Sequence, residues 1–139
     1  MKVRLGGLGD LLIENSMKNP RVEITPFFVS DNTSTDGFNI WNSSTLFKAA
    51  QGLKPYDLQL AALDLDINFA NANTIYNFLF QAKRVLEADL DYPIIQAPSG
   101  RIMDGHHRII KAILEGRTTI KAVKLPVLPK ADRFNIEEE

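Results

Sequence analysis

The chain reads as an α+β domain, a small mixed sheet with flanking helices. Three features predict this: period-two alternation from Tyr56 to Leu63, a long 3.6-periodic segment from Asn71 to Ala88, and a hairpin, helix and strand following one another between Tyr92 and Leu125. Residues 1–40 read as an extension of uncertain structure, 41–128 as the domain and 129–139 as an acidic tail.

In order along the chain, Arg21 to Val29 is rich in β-branched and aromatic residues, and Pro26 inside it predicts an edge strand, because proline cannot donate to a central ladder. Ser30 to Asn39 is a cluster of loop formers, either a plain mobile connection or a functional loop. Asn42, Ser43 and Ser44 supply cap oxygens for a short helix over Thr45 to Gln51, stopped by Gly52 and Pro55. Leu58, Leu60 and Ala62 then alternate with polar neighbours, predicting a half-buried strand that ends in Asp64 and Asp66.

The next segment carries Ile75, Phe78, Leu79, Ala82, Val85 and Leu86 at spacings of three and four, an apolar stripe with Lys83, Arg84 and Glu87 placed away from it. Tyr92 to Gln96 and Arg101 to Met103 read as a hairpin around the turn Pro98-Ser99-Gly100. The second strand runs into a helix that continues through Ile109 to Glu115 and is closed by Gly116. Thr118 to Leu125 is a last strand, ended by Pro126 and Pro129.

Composition narrows the functional classes. The 139 residues suffice for one core, and 45% are hydrophobic. There is no cysteine, which excludes thiolate zinc sites, iron–sulfur clusters and thiol catalysis. The net charge of -1 announces no nucleic-acid binder. No apolar run is long enough for a membrane helix, and no signal-peptide core follows Met1, so a soluble, cytoplasmic protein with no membrane partner is expected. Glu137 to Glu139 reads as a solvated, frayed end.

The informative segment is Met103 to Arg108. A strand stopping at Asp104, turning on Gly105 and opening a helix near His106 offers unpaired N–H groups at the positive end of a helix dipole, where anions bind. Gly105 lets the main chain approach a phosphate, and His106, His107 and Arg108 add donors. Asp104 reads either as a plain N-cap or as a carboxylate that reaches magnesium or acts as a base. Adjacent histidines on a helix point about 100° apart, so both cannot face one ligand and one is free to pack. The pair alone lacks the geometry of a zinc or iron site.

Asp64 and Asp66, two residues apart in extended chain, share a face; they are either a polar strand end or a second source of a metal ligand or base. Lys83, Arg84, Lys121 and Lys124 are either solvated faces or a surface for a DNA backbone. Gly6-Gly7-Leu8-Gly9 lacks the strand before it and the Lys-Ser/Thr after it that a phosphate loop needs.

From about Trp41 to Leu125 this arrangement resembles the ParB/sulfiredoxin-like superfamily, through the strand around Leu58 to Asp66, the helix containing Ala82 to Leu90, the run from Tyr92 to Gly116 with Asp104-Gly105-His106-His107-Arg108 inside it, and the closing Thr118 to Leu125. The resemblance implies a nucleotide (ATP, ADP or CTP) or a phosphorylated small molecule bound at Gly105, His106, His107 and Arg108, together with Mg2+ at Asp104. With no cysteine in the loop, sulfinic acid reduction is excluded. Only 14 residues follow Leu125, too few for the DNA-reading and dimerisation regions of partition proteins.

The Asp-Gly-His-His-Arg wording is closer to free serine kinases and to stand-alone ParB-like proteins of phages and mobile elements. For a kinase or NTPase the resemblance implies a catalytic carboxylate, Asp104 first and Asp64 or Asp66 second. The alternatives are a DNA-associated nuclease or non-catalytic DNA-binding module, and an interaction module using Ser30 to Asn39 and Trp41 as partner surface. A homodimer stays open.

Overall fold

The computed structural model describes residues 19–28 and 32–135. Two antiparallel strands open it, β1 (Thr33–Thr35) and β2 (Asn39–Asn42), followed directly by α1 (Ser43–Ala50). Strand β3 (Tyr56–Gln59) runs into a single 3-10 turn over Leu60–Ala62, and α2 spans Ile75–Glu87. The hairpin β4 (Ile94–Gln96) and β5 (Ile102–Asp104) leads into α3 (His106–Leu114), then β6 (Thr119–Lys124) and β7 (Arg133–Phe134). The fold is α+β, as predicted, with two small sheets of order β1-β2-β7 and β3-β6-β4-β5.

Only β4 and β6 are parallel, so α3 together with β5 forms the crossover between them. The four-stranded sheet is buried on both faces, as the sequence of its central strands requires. Ile95, Met103, Val123 and Leu125 pack against Trp41 and Leu46, while Ile94, Ile120 and Ala122 pack against Ile109 and Ala112 of α3. Neighbouring residues in β4 and β6 therefore belong to opposite cores, which is why Ala122 and Val123 are both buried. Trp41 anchors the first core, its indole Nε1 donating to the carbonyl of Pro129 at 2.8 Å.

Several elements depart from expectation, each for a physical reason. Residues 21–28 form no strand, since they lie along α2 rather than at a sheet edge: Thr25 bonds the Tyr76 hydroxyl and Phe27 meets Phe80 edge-on. Val29 lies outside the described residues. Ser30 and Asp31 lie outside them as well, and the loop formers from Asn32 onward build a hairpin. Asp36 accepts from the N–H groups of Phe38 and Asn39 and from the Asn39 amide, contacts that hold its carboxyl at about 2, and Gly37 takes φ 103°. Asn42 occupies the N-cap of α1 but its side chain makes no cap bond; its N–H donates instead to Asp132.

The strand predicted through Leu63 stops at Gln59, because its partner β6 begins at Thr119. Leu60 N–H takes the Thr118 carbonyl, and beyond it no ladder is available. The expected tail from residue 129 is tied to the domain as far as Asn135. β7 pairs with β2, and the Asp132 carboxylate accepts from Asn42 N–H and from Thr45 Oγ1. Glu137 to Glu139 lie outside the described residues.

Helix α2 is turned about 100° from the orientation its apolar stripe predicts. Its buried side chains are Gln81 and Val85, whereas Ile75, Phe78 and Leu86 are 82%, 62% and 73% exposed. Polar contacts set this orientation: Gln81 bonds His107 of α3, and Lys111 Nζ donates to the carbonyls of Leu86 and Ala88 at the end of α2. Among the described residues no helix is long and apolar enough to cross a membrane.

Trp41 is 2% exposed and bridges α1, the sheet and the Pro129 carbonyl, so Trp41→Ala is expected to cost about 3–5 kcal/mol. A lowered urea midpoint with an unchanged denaturant slope checks it.

Candidate functional site

The end of β5 is drawn toward two other parts of the chain by one buried carboxylate. Asp104 is 6% exposed; its Oδ2 lies 2.5 Å from Nη2 of Arg108, and its Oδ1 accepts from Asn32 Nδ2 at 3.3 Å. Asn32 also donates to Ser43 Oγ at 2.8 Å, joining the start of α1 to the same network. The other guanidinium nitrogen, Nη1 of Arg108, donates to the carbonyls of Tyr92 at 2.9 Å and Pro93 at 2.8 Å, immediately before β4.

Arg108, expected to face a phosphate, is therefore committed to internal acceptors. Asp104 is not the N-cap of α3: Gly105 holds that position and no side chain caps the helix. With both oxygens engaged, Asp104 acts as an anchor for the β5–α3 corner.

Gly105 is required twice over. Its φ is 114°, in the left-handed region, and a Cβ there would lie 2.5 Å from Ile94 Cγ2. The inner side of the turn is thus closed by Ile94 and Arg108. Among the described residues, the N–H groups of His106, His107 and Arg108 meet no protein acceptor, and the first α-helical bond runs from Ile109 N–H to the Gly105 carbonyl.

The histidines divide as adjacent helical residues must. His107 packs: its Nε2 is 2.7 Å from Gln81 Oε1 and its ring meets Phe69 edge-on. With the Gln81 oxygen as acceptor, Nε2 carries the proton and Nδ1 is left as an acceptor. Burial, reinforced by the charges of Arg84, His106 and Arg108, pulls His107 down to about 4. His106 is also lowered, by burial first and then by Arg101, with Asp104 opposing. Both rings are neutral at pH 7 and supply donors rather than charge.

Two cations near this corner are not assigned to it by the sequence, which reads Arg84 only as a solvated face or a DNA-backbone surface. Arg84 on α2 stacks its guanidinium 3.4 Å above the Phe27 ring and senses Asp104, and Arg101 on the hairpin donates to the Thr35 carbonyl. The signal for Arg84 was present in the spacing of Asn77, Gln81, Arg84 and Ala88, a second side of α2 with helical periodicity and mixed polarity. Nothing in the sequence marks Asn32 or Arg101.

Asp64 and Asp66 do not end a strand. They are exposed beyond the 3-10 turn, where Asp64 Oδ1 accepts from Asp66 N–H, and no hydrogen bond or ion pair joins either to Asp104. Among the described residues no three His, Asp or Glu side chains converge to hold a metal, and each Asp104 oxygen accepts from one protein donor. The residues present do not make a protein-held magnesium site there. A concavity of about 590 Å³ between Asn19–Ile24 and Lys83 shares no lining residue with this corner.

Comparison with protein-family models, with curated proteins and with solved structures finds no match to the chain.

Removing one member of a buried ion pair strands the other, so Arg108→Ala is expected to cost about 3–5 kcal/mol. The Asp104→Leu/Arg108→Met double variant is expected to cost less than the sum of its singles, read by urea denaturation as a double-mutant cycle. Acidification adds a second expectation. An unfolded imidazole binds its proton near 6.5 and folded His107 only near 4, so the unfolded chain takes up protons first. Stability from His107 is full above about pH 6.5 and is lost as pH falls toward 4. Melting temperatures between pH 7 and 4.5 are expected to fall, with a shallower slope in His107→Gln.

Proposed function

We propose that the chain is a ParB/sulfiredoxin-like domain that binds a phosphate-bearing ligand, a nucleotide, at the first turn of α3. The observation that carries this reading is the glycine-entered helix start, whose three first-turn N–H groups are without protein acceptors beside His106. Arg84 and Arg101 add positive charge around it, and the single carboxylate at the corner, Asp104, is neutralised by Arg108. The ligand contacts in this reading are the backbone of residues 106–108 and the ring of His106. Arg108 and Asp104 hold the turn in shape, and His107 orients the helix against α2.

The reading is one of binding rather than phosphoryl transfer. A kinase or NTPase needs a carboxylate free to act on a hydroxyl or water. Each Asp104 oxygen already accepts from one protein donor, and among the described residues Asp64 and Asp66 make no hydrogen bond to the corner. Nor does a specific observation favour DNA: Lys121 is paired with Asp57 at 2.7 Å, and Arg84 lies over Phe27.

A thermal-shift panel of ATP, ADP, CTP, GTP and inorganic phosphate, with and without magnesium, tests the proposal. A nucleotide at about 100 times its Kd is expected to stabilise the fold by about 2.7 kcal/mol. The shift should shrink in His106→Ala and in Arg101→Ala, neither of which belongs to the buried pair. No shift with any of these ligands, or a shift that both variants keep at the parent chain's size, overturns the reading. Hydrolysis abolished by Asp104→Asn in a still-folded protein would move Asp104 from anchor to catalytic residue.

A further inference from the structure

Apart from Val85, which is buried at its margin, the apolar stripe of α2 faces away from both cores. Ile75, Leu79, Ala82 and Leu86 recur at three- and four-residue spacing, with Phe78 at the margin, and all but Ala82 are exposed. The helix is held against α3 by the other side, through Gln81, Val85 and the Lys111 bonds. Its position in the fold is therefore settled without using the stripe.

We propose that the stripe is the docking surface for residues 1–18 of the same chain. The described chain begins at Asn19, and Asn19–Ile24 line one concavity together with Lys83. On the α2 surface Lys83 neighbours Leu79 and Leu86, so the upstream segment starts alongside the stripe. The segment just after it already uses α2, through Thr25 on Tyr76 and Phe27 on Phe80.

Length and composition both suit the surface. Thirteen residues make α2 about 20 Å long, and 18 residues reach about 27 Å as a helix or roughly 60 Å extended, so either conformation spans it. Leu5, Leu8 and Leu12, at helical spacing and flanked by Leu11 and Ile13, supply large apolar side chains for Ile75, Phe78, Leu79 and Leu86. Attachment decides against a second copy. A segment tethered this closely acts at an effective concentration on the order of millimolar, above the working concentration of a free partner chain.

The absence of cysteine allows a single nitroxide to be placed at Lys83→Cys in the full-length chain. Backbone amide signals of residues 3–13, distant enough in sequence from Asn19, are expected to broaden, and to recover their intensity when Leu86→Asp or Ile75→Asp is added. Both added charges sit at exposed positions, so the resonances of β4 and β6 should stay in place. Unbroadened signals, or broadening indifferent to both added charges, overturn the proposal. So does broadening of an isotope-labelled chain by a separate spin-labelled one, which would assign the surface to a second copy.

Discussion

The structure depends on the pairing of Asp104 with Arg108. Two charges removed from water are tolerated only when their remaining donors and acceptors are satisfied, and here Asn32, the Tyr92 carbonyl and the Pro93 carbonyl do so. The pair and these partners together come from four places in the chain. The pair therefore fastens the approach to β1, the start of β4, the end of β5 and the first turn of α3 to one another. Gly105 completes the corner, since any Cβ would meet Ile94 in the core behind it.

That inward commitment shapes what the outer side can do. Three N–H donors of the Arg108 guanidinium are spent on two carbonyls and a carboxylate, and each Asp104 oxygen accepts from one protein donor. What remains is a rigid turn presenting main-chain N–H groups, one neutral imidazole at His106, and arginines contributed by α2 and by the hairpin. Recognition of an oxyanion needs these features; chemistry on it would need a further carboxylate.

Helix α2 shows how a few polar contacts can override an apolar pattern. One hydrogen bond from His107 to Gln81 and two from Lys111 to the helix end are directional, and they choose which side of α2 meets α3. Hydrophobic burial is not directional and is satisfied by whichever surface covers the stripe. The same choice brings Arg84 inward, onto Phe27 and toward the α3 corner, and leaves Leu86 outside.

Much of the fold was legible because local patterns and local structure agree. The hairpin at Pro98 to Gly100, the glycine-entered helix, and the last strand with alternating Ile120, Ala122 and Lys121 lie where turn chemistry and periodicity put them. The hairpin of β1 and β2 and the pairing of β7 were not legible, since three-residue and two-residue strands are made by their partners rather than by propensity. Of the β5–α3 corner, the sequence foresaw that one histidine would pack. By itself the sequence determined the α+β class, the helix start at Gly105 and the charged groups gathered there, all properties carried within a few neighbouring residues. Only the tertiary structure decided that Arg108 turns inward, that Asp64 and Asp66 stay apart from Asp104, and which side of α2 is buried. Each of those depends on a hydrogen-bond or packing partner far along the chain, and spacing alone cannot specify that partner.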